Sequence, residues 1–137
     1  MGDIIMACIK TYSELRILSE VHPPDVISRM LKTEATEVLL RDPEALDEQT
    51  RLRHTWLWST KGRLDSTNPL EHVSAVVDAV EYRGMALSVL RKTCSIEIYC
   101  YYLTNSRGGP KLTAEIIRKL GYLSIDISWD IDFHAGC

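Results

Sequence analysis

The stretch Leu123-Ser124-Ile125-Asp126-Ile127-Ser128-Trp129-Asp130-Ile131-Asp132-Phe133 decides the fold class. Leu123, Ile125, Ile127, Trp129, Ile131 and Phe133 alternate with Ser124, Asp126, Ser128, Asp130 and Asp132. A period of two is the pleat of a β-strand, whose successive side chains leave on opposite faces. One face here is apolar and the other carries carboxylates, so one side meets a core and the other meets water. A sheet that is wet on one side carries its helices on the opposite face only.

Working outward from this strand, the segment just before it reads as a helix. Thr113 opens it, Leu112 and Ile117 are spaced as a hydrophobic staple, and Gly121 is the expected left-handed C-cap. Further upstream, 94–103 reads as a second strand. Ile96, Ile98, Cys100 and Tyr102 point one way, while Glu97, Tyr99 and Tyr101 point the other. The run Asn105-Ser106-Arg107-Gly108-Gly109-Pro110 ends it with turn chemistry. A third strand is expected at 7–18, where Ile9, Ser13, Leu15 and Ile17 oppose Lys10, Tyr12, Glu14 and Arg16. A fourth is expected at 53–60, with Trp56 and Trp58 on one side and Leu57 on the other.

Two more helices fall between these strands. One follows His22-Pro23-Pro24, because proline suits a first helical turn, and Val26, Ile27, Met30 and Leu31 form its apolar stripe. The other starts at Asn68, an N-cap followed by Pro69 and then by Glu71 at capping-box spacing. Leu70, Val73, Val77, Val80 and Leu87 carry its buried face, and Gly84 ends or bends it. Asp25–Met30 echoes Glu115–Leu120, which suggests two strand-helix-strand halves joined by the Asn68 helix; chance likeness of two amphipathic helices is the alternative. The expected fold is therefore α+β in a single domain, 1–137. It is a mainly antiparallel sheet of four or more strands with helices on one face, an elaborated ferredoxin-like split βαβ with an extra helix. Segment 33–52 resists assignment.

Composition narrows the function. The 137 residues suit one domain, and 45% hydrophobic with 26% charged residues is the balance of a folded soluble chain. A net charge of -3, from 16 basic and 19 acidic residues, weighs against binding nucleic acid by phosphate attraction. No apolar run approaches the ~18 residues of a membrane span, and the start MGDIIMACIK lacks the features of a signal peptide. Cys8, Cys94, Cys100 and Cys137 show no metal-binding spacing, and without a secretory signal they suggest thiols in a reducing cytoplasm. His134 and Cys137 have no second pair to complete a zinc site. No metal and no cofactor are expected.

Nor does a catalytic motif stand out. The chain has no G-x-S-x-G, no P-loop and no G-x-G-x-x-G. Gly108-Gly109 before a proline is a tight loop more readily than an anion cradle. His72, early on the Asn68 helix, either serves as a base beside a carboxylate or packs locally at the edge of the apolar stripe. The second reading is preferred, and no enzymatic activity is expected.

The open face of the sheet is more informative. Glu97, Tyr99 and Tyr101 would join Asp126, Asp130 and Asp132 there, with Tyr12 and Glu14 extending the surface. Tyrosines give contact area at low entropic cost, and carboxylates steer a basic partner. An RNA reader would set lysine and arginine beside its aromatics rather than this many carboxylates. Asp42, Glu44, Asp47 and Glu48 form a second acidic patch in the unassigned segment. Plain solvation of the open face, or its burial against a second copy, is the competing explanation.

Four motifs occur in order: Trp58-Ser59-Thr60, Asn68-Pro69-Leu70-Glu71-His72-Val73, Ile98-Tyr99-Cys100-Tyr101-Tyr102 and Leu120-Gly121-Tyr122-Leu123-Ser124-Ile125-Asp126-Ile127. Together, across roughly 10–130, they resemble a widespread bacterial family of small single-domain proteins of unknown function. Some members resemble immunity proteins encoded beside polymorphic toxins. The resemblance implies a cytoplasmic protein without assigned activity, whose partner is a cognate toxin domain that it neutralises by occlusion. The alternative is a self-associating regulatory or housekeeping domain, homodimeric through the open sheet.

Overall fold

The computed structural model describes residues 9–134. Cys8, Cys137 and the first positions of the strand expected at 7–18 lie outside the described residues.

Five strands and five helices follow one another among the described residues. They are β1 (Lys10–Ser19), α1 (Pro24–Leu31), β2 (Glu37–Leu39), α2 (Glu48–Leu52), β3 (His54–Ser59), α3 (Pro69–Val80), α4 (Gly84–Arg91), β4 (Cys94–Thr104), α5 (Ala114–Leu123) and β5 (Asp126–Phe133). The strands form one open sheet in the order β2-β3-β1-β4-β5. The class is α+β, as expected, and the sheet, expected to be mainly antiparallel, is mixed: β1 runs antiparallel to β3 and β4, β2 antiparallel to β3, and β4 parallel to β5. The parallel pair follows from its connection, because a crossover through α5 returns the chain to the same end of the sheet. Here β4 and β5 are direct neighbours, whereas β3 lies between β1 and β2. The two halves of the chain therefore pair their strands differently, despite the likeness between α1 and α5.

The alternation seen in sequence sets the layers. On β1, Leu15 and Ile17 are fully buried, and they meet Trp58 and Trp56 of β3 and Ile98 and Ile96 of β4 across the register. Val73, Val76, Val77 and Val80 of α3, Leu87 and Leu90 of α4, and Ile116, Leu120 and Leu123 of α5 complete the core against that side. Ile27 and Leu31 of α1 join them beside Trp56, whose indole Nε1–H donates to Ser28 Oγ at 2.9 Å. Each such Leu, Ile or Val contributes about 1.5–3 kcal/mol by leaving water. On the opposite face Glu14 and Ser59 are buried, and its other described residues are half-buried or exposed.

Helix ends correct several expectations. The helix expected to stop at Gly121 continues to Leu123, and Ser124 takes the left-handed cap at φ 54°. Leu123 thus belongs to α5, and β5 begins three residues later than the alternation suggested. Lys32 caps α1 in the same left-handed conformation, at φ 52°. The chain breaks after Val80 and restarts as α4 at Gly84, so Leu87 lies on a separate helix. Segment 33–52 supplies the short edge strand β2 and the single-turn helix α2.

Candidate functional site

The side of the sheet away from the helices carries a cluster of three phenols. Tyr12 of β1 stands opposite Tyr101 of β4, because the antiparallel register pairs them directly. Their ring centroids are 5.4 Å apart at 29°, and Tyr12 lies 6.3 Å from Tyr99 at 50°. These are the offset and tilted arrangements that aromatic quadrupoles favour.

Carboxylates of β5 border the phenols. Tyr99 donates its hydroxyl to Asp130 Oδ2 at 2.6 Å, and Tyr101 donates to Asp132 Oδ2 at 3.0 Å. The register opposes Tyr99 to Ser128 and Tyr101 to Asp130, so each phenol reaches one pleat further along its neighbour. The hydrogen bond to Asp130 is the main reason the Tyr99 phenol is held well above its usual pKa, with loss of solvation second. Tyr101 is raised first by lost solvation and then by Asp132, and Tyr12 first by lost solvation and then by Glu14. Around neutral pH all three phenols are hydrogen-bond donors rather than anions.

Cations share this face: Lys10 stands opposite Leu103 at the start of β1, and two others lie against the phenols. The Arg16 guanidinium lies 3.8 Å from the Tyr99 ring centroid and bonds Glu14 Oε1 through both Nε and Nη2, at 3.2 and 2.9 Å. Lys61 Nζ lies 5.2 Å from the Tyr12 centroid. Glu97 sits between Arg16 on one neighbouring strand and Asp126 on the other. The face is thus a flat aromatic centre with cations toward β1 and carboxylates along β5. The charges give the face a defined electrostatic direction.

The first set of expected contact residues is therefore brought together: Tyr99, Tyr101, Asp130 and Asp132 by hydrogen bonds, Glu97 and Asp126 by register. Arg16 was legible as sharing the parity of Tyr12 and Glu14. Lys61 follows the end of β3 in a turn and left no signal in the sequence. The second set is not part of this surface. Asp47 caps α2 by accepting from Thr50 N and Thr50 Oγ1, and Asp42 accepts from Glu44 N within its own turn. Glu48 lies in the first turn of α2, which packs beside β3, whereas β5 is the opposite edge of the sheet.

His72 is 1% exposed and bonded at both ring nitrogens, to Thr60 Oγ1 at 2.6 Å and to the Ser66 carbonyl at 2.7 Å. It packs, as preferred from its place on the helix edge. Cys94 and Cys100 are buried free thiols, and no group of three or more metal-ligating side chains occurs among the described residues. No helix among them is long and apolar enough to cross a membrane. On the helix side, an open groove of about 1060 Å³ runs between Met30, Tyr82, Met85 and Tyr122 and contains none of the expected contact residues.

No curated protein and no solved structure matches the chain. Residues 9–134 match a family described as a domain of unknown function, DUF4279. That span holds both edges of the sheet, the aromatic face and the helix layer, and by it the chain belongs to the DUF4279 family.

Proposed function

We propose that this protein is an immunity-type binding protein that neutralises a cognate bacterial toxin domain in the cytoplasm by covering it, without turnover. The observation that carries this reading is the Tyr12–Tyr99–Tyr101 cluster on the face without a helix layer, with Asp130 and Asp132 already hydrogen-bonded beside it. Rigid aromatics lose little entropy on docking, and their hydrogen bonds to aspartate fix the ring positions before a partner arrives. Carboxylates along β5 draw a basic surface toward that edge, and Arg16 and Lys61 orient it.

The test is co-expression with a toxic domain encoded beside this chain. Growth rescue should be lost in the triple variant Tyr12→Ala, Tyr99→Ala, Tyr101→Ala. Truncating one central anchor costs about 2 kcal/mol or more, roughly a thirtyfold loss of affinity. Rescue by the triple variant at the wild-type level, with its fold intact by circular dichroism, defeats this reading.

A further inference from the structure

The outer edge of β5 points to a second mode of binding, one that does not depend on the partner being a toxin. β5 ends the strand order, and no strand among the described residues pairs with its far side. The N–H of His134 donates to the Thr104 carbonyl at 3.0 Å, on the β4 side. The N–H and C=O of one residue leave a strand on the same side, and the side alternates with each residue. The even positions of β5 therefore bond β4. Ile127, Trp129, Ile131 and Phe133 turn their N–H and C=O groups outward. The opposite edge of the sheet is only the three residues Glu37–Leu39, a short strand of the kind that blunts edge pairing. β5 is eight residues long.

The side chains say what fits there. On the helix side, Ile127 and Trp129 pack against the core, but Ile131 and Phe133 run past it and stay 48% and 49% exposed. On the other side stand Asp126, Asp130 and Asp132. A second copy fits poorly. A twofold antiparallel pairing keeps like faces together, so each register that overlaps most of the strand sets aspartate against aspartate. The opposed pair is Asp126 with Asp130, Asp126 with Asp132, Asp130 with its own copy, or Asp130 with Asp132. Like charges directly opposite are destabilising. The same charges complement a foreign strand that carries lysine or arginine at alternate positions.

We propose that β5 is an augmentation edge, taking an extended protein segment as a sixth strand. Basic side chains of that segment face Asp126, Asp130 and Asp132, and apolar side chains lie over Ile131 and Phe133. Main-chain hydrogen bonds supply affinity, and the alternating side chains supply selectivity.

The probe is a short blocked peptide alternating lysine and valine, titrated calorimetrically into the full chain, with an alternating glutamate–valine peptide as control. The lysine peptide should bind with strong salt dependence and shift the backbone amides of Ile127, Trp129, Ile131 and Phe133. The glutamate peptide should not bind. Ile131→Pro removes an outward N–H while sparing the ladder to β4, and it should weaken binding by about tenfold. Asp130→Asn with Asp132→Asn keeps acceptors for Tyr99 and Tyr101, leaves the strand unbroken, and should weaken binding severalfold while flattening the salt dependence. Undiminished binding by either folded variant overturns the proposal. So do amide shifts confined to Tyr12, Tyr99 and Tyr101, absence of lysine-peptide binding, or a homodimer in sedimentation that Ile131→Pro dissolves. The aromatic triple variant of the previous section leaves the β5 backbone in place, so growth rescue and peptide capture fail independently.

Discussion

Tyr99 and Asp130 are joined across the parallel β4–β5 pair one pleat out of register, phenol Oη to carboxylate Oδ2 at 2.6 Å. The bond needs the neutral phenol beside the charged carboxylate. Ionising Tyr99 would break it and set two anions together, which is why its pKa is raised, the hydrogen bond first and lost solvation second. Asp130→Asn removes the charge and should bring the Tyr99 phenol back toward the ordinary phenol range. The sign for stability follows. A phenol whose folded pKa lies above its unfolded one contributes stability that is complete below the ordinary phenol value and is lost as pH rises beyond it. Alkaline unfolding of the wild type should be steeper than that of Asp130→Asn. Tyrosinate absorbance during a pH titration reads both effects, and an unchanged Tyr99 titration in Asp130→Asn defeats them.

Cys100 offers a second titration, on the helix side of β4. Burial pushes its thiol up to about 11, and the only opposing influence is Ser13, whose hydroxyl donates to the sulfur at 3.2 Å. Only thiolate reacts with alkylating agents. At pH 8 the thiolate fraction is roughly one part in a thousand, from the three-unit gap between pH and pKa. Iodoacetamide should therefore leave Cys100 unmodified in the folded protein and modify it after denaturation, as followed by site-resolved mass spectrometry. Labelling of folded protein at the rate of a free peptide thiol would contradict the burial that sets this pKa.

How far the chain was legible depends on how local each cause is. The faces of β1, β3, β4 and β5 followed from a period of two, which one strand displays alone. The aromatic cluster was visible for the same reason: parity put Tyr99 and Tyr101 on the face of Asp130 and Asp132. Register was not visible, since it depends on two strands at once. The one-pleat offset of Tyr99 to Asp130, and the approach of Lys61 to Tyr12, came only with the structure. β2 was hidden because Val38 and Leu39 are each 46% exposed and pair only at the sheet edge. In the acidic run at 42–48, Asp42 and Asp47 accept from local backbone and hydroxyl donors, as aspartate does in turns and caps, an arrangement that needed the turn and helix boundaries to be known first.

The start of α3 also differs from its expected form. Asn68 caps it as anticipated, Oδ1 accepting from Leu70 N at 3.0 Å. Glu71, however, does not reach the Asn68 N–H. Ser66 stands between them: its Oγ accepts from Asn68 N at 3.1 Å, and its hydroxyl donates to Glu71 Oε2. The capping box has become a relay through a third residue. Asn68→Ala should cost about 1 kcal/mol, the usual worth of an N-cap. Ser66→Ala should cost less, because the Asn68 N–H and the Glu71 carboxylate are exposed and water can replace the hydroxyl. Ser66→Ala and Glu71→Gln should also be non-additive, since they break one chain of bonds. Urea unfolding of the singles and the double measures this, and simple additivity would show that the relay carries no coupling.

His72 is the largest of the fully buried polar side chains. The Ser66 carbonyl can only accept, so His72 Nε2 carries the proton in that 2.7 Å bond. With the ring neutral, Nδ1 accepts from the Thr60 hydroxyl at 2.6 Å, and the Thr60 oxygen accepts from Ser13 N–H at 3.0 Å. One chain of bonds thus ties β1, the end of β3, the loop before α3 and α3 itself. Thr60→Val preserves shape but leaves the Ser13 N–H and His72 Nδ1 without partners. A buried orphan costs about 1–3 kcal/mol, so this variant should lose at least that much, whereas Thr60→Ser should retain most of the stability. Nitrogen chemical shifts of the imidazole should report the Nε2–H tautomer in the wild type. Equal stability of Thr60→Val and Thr60→Ser in urea, or the opposite tautomer, would mean that the histidine is held by packing alone.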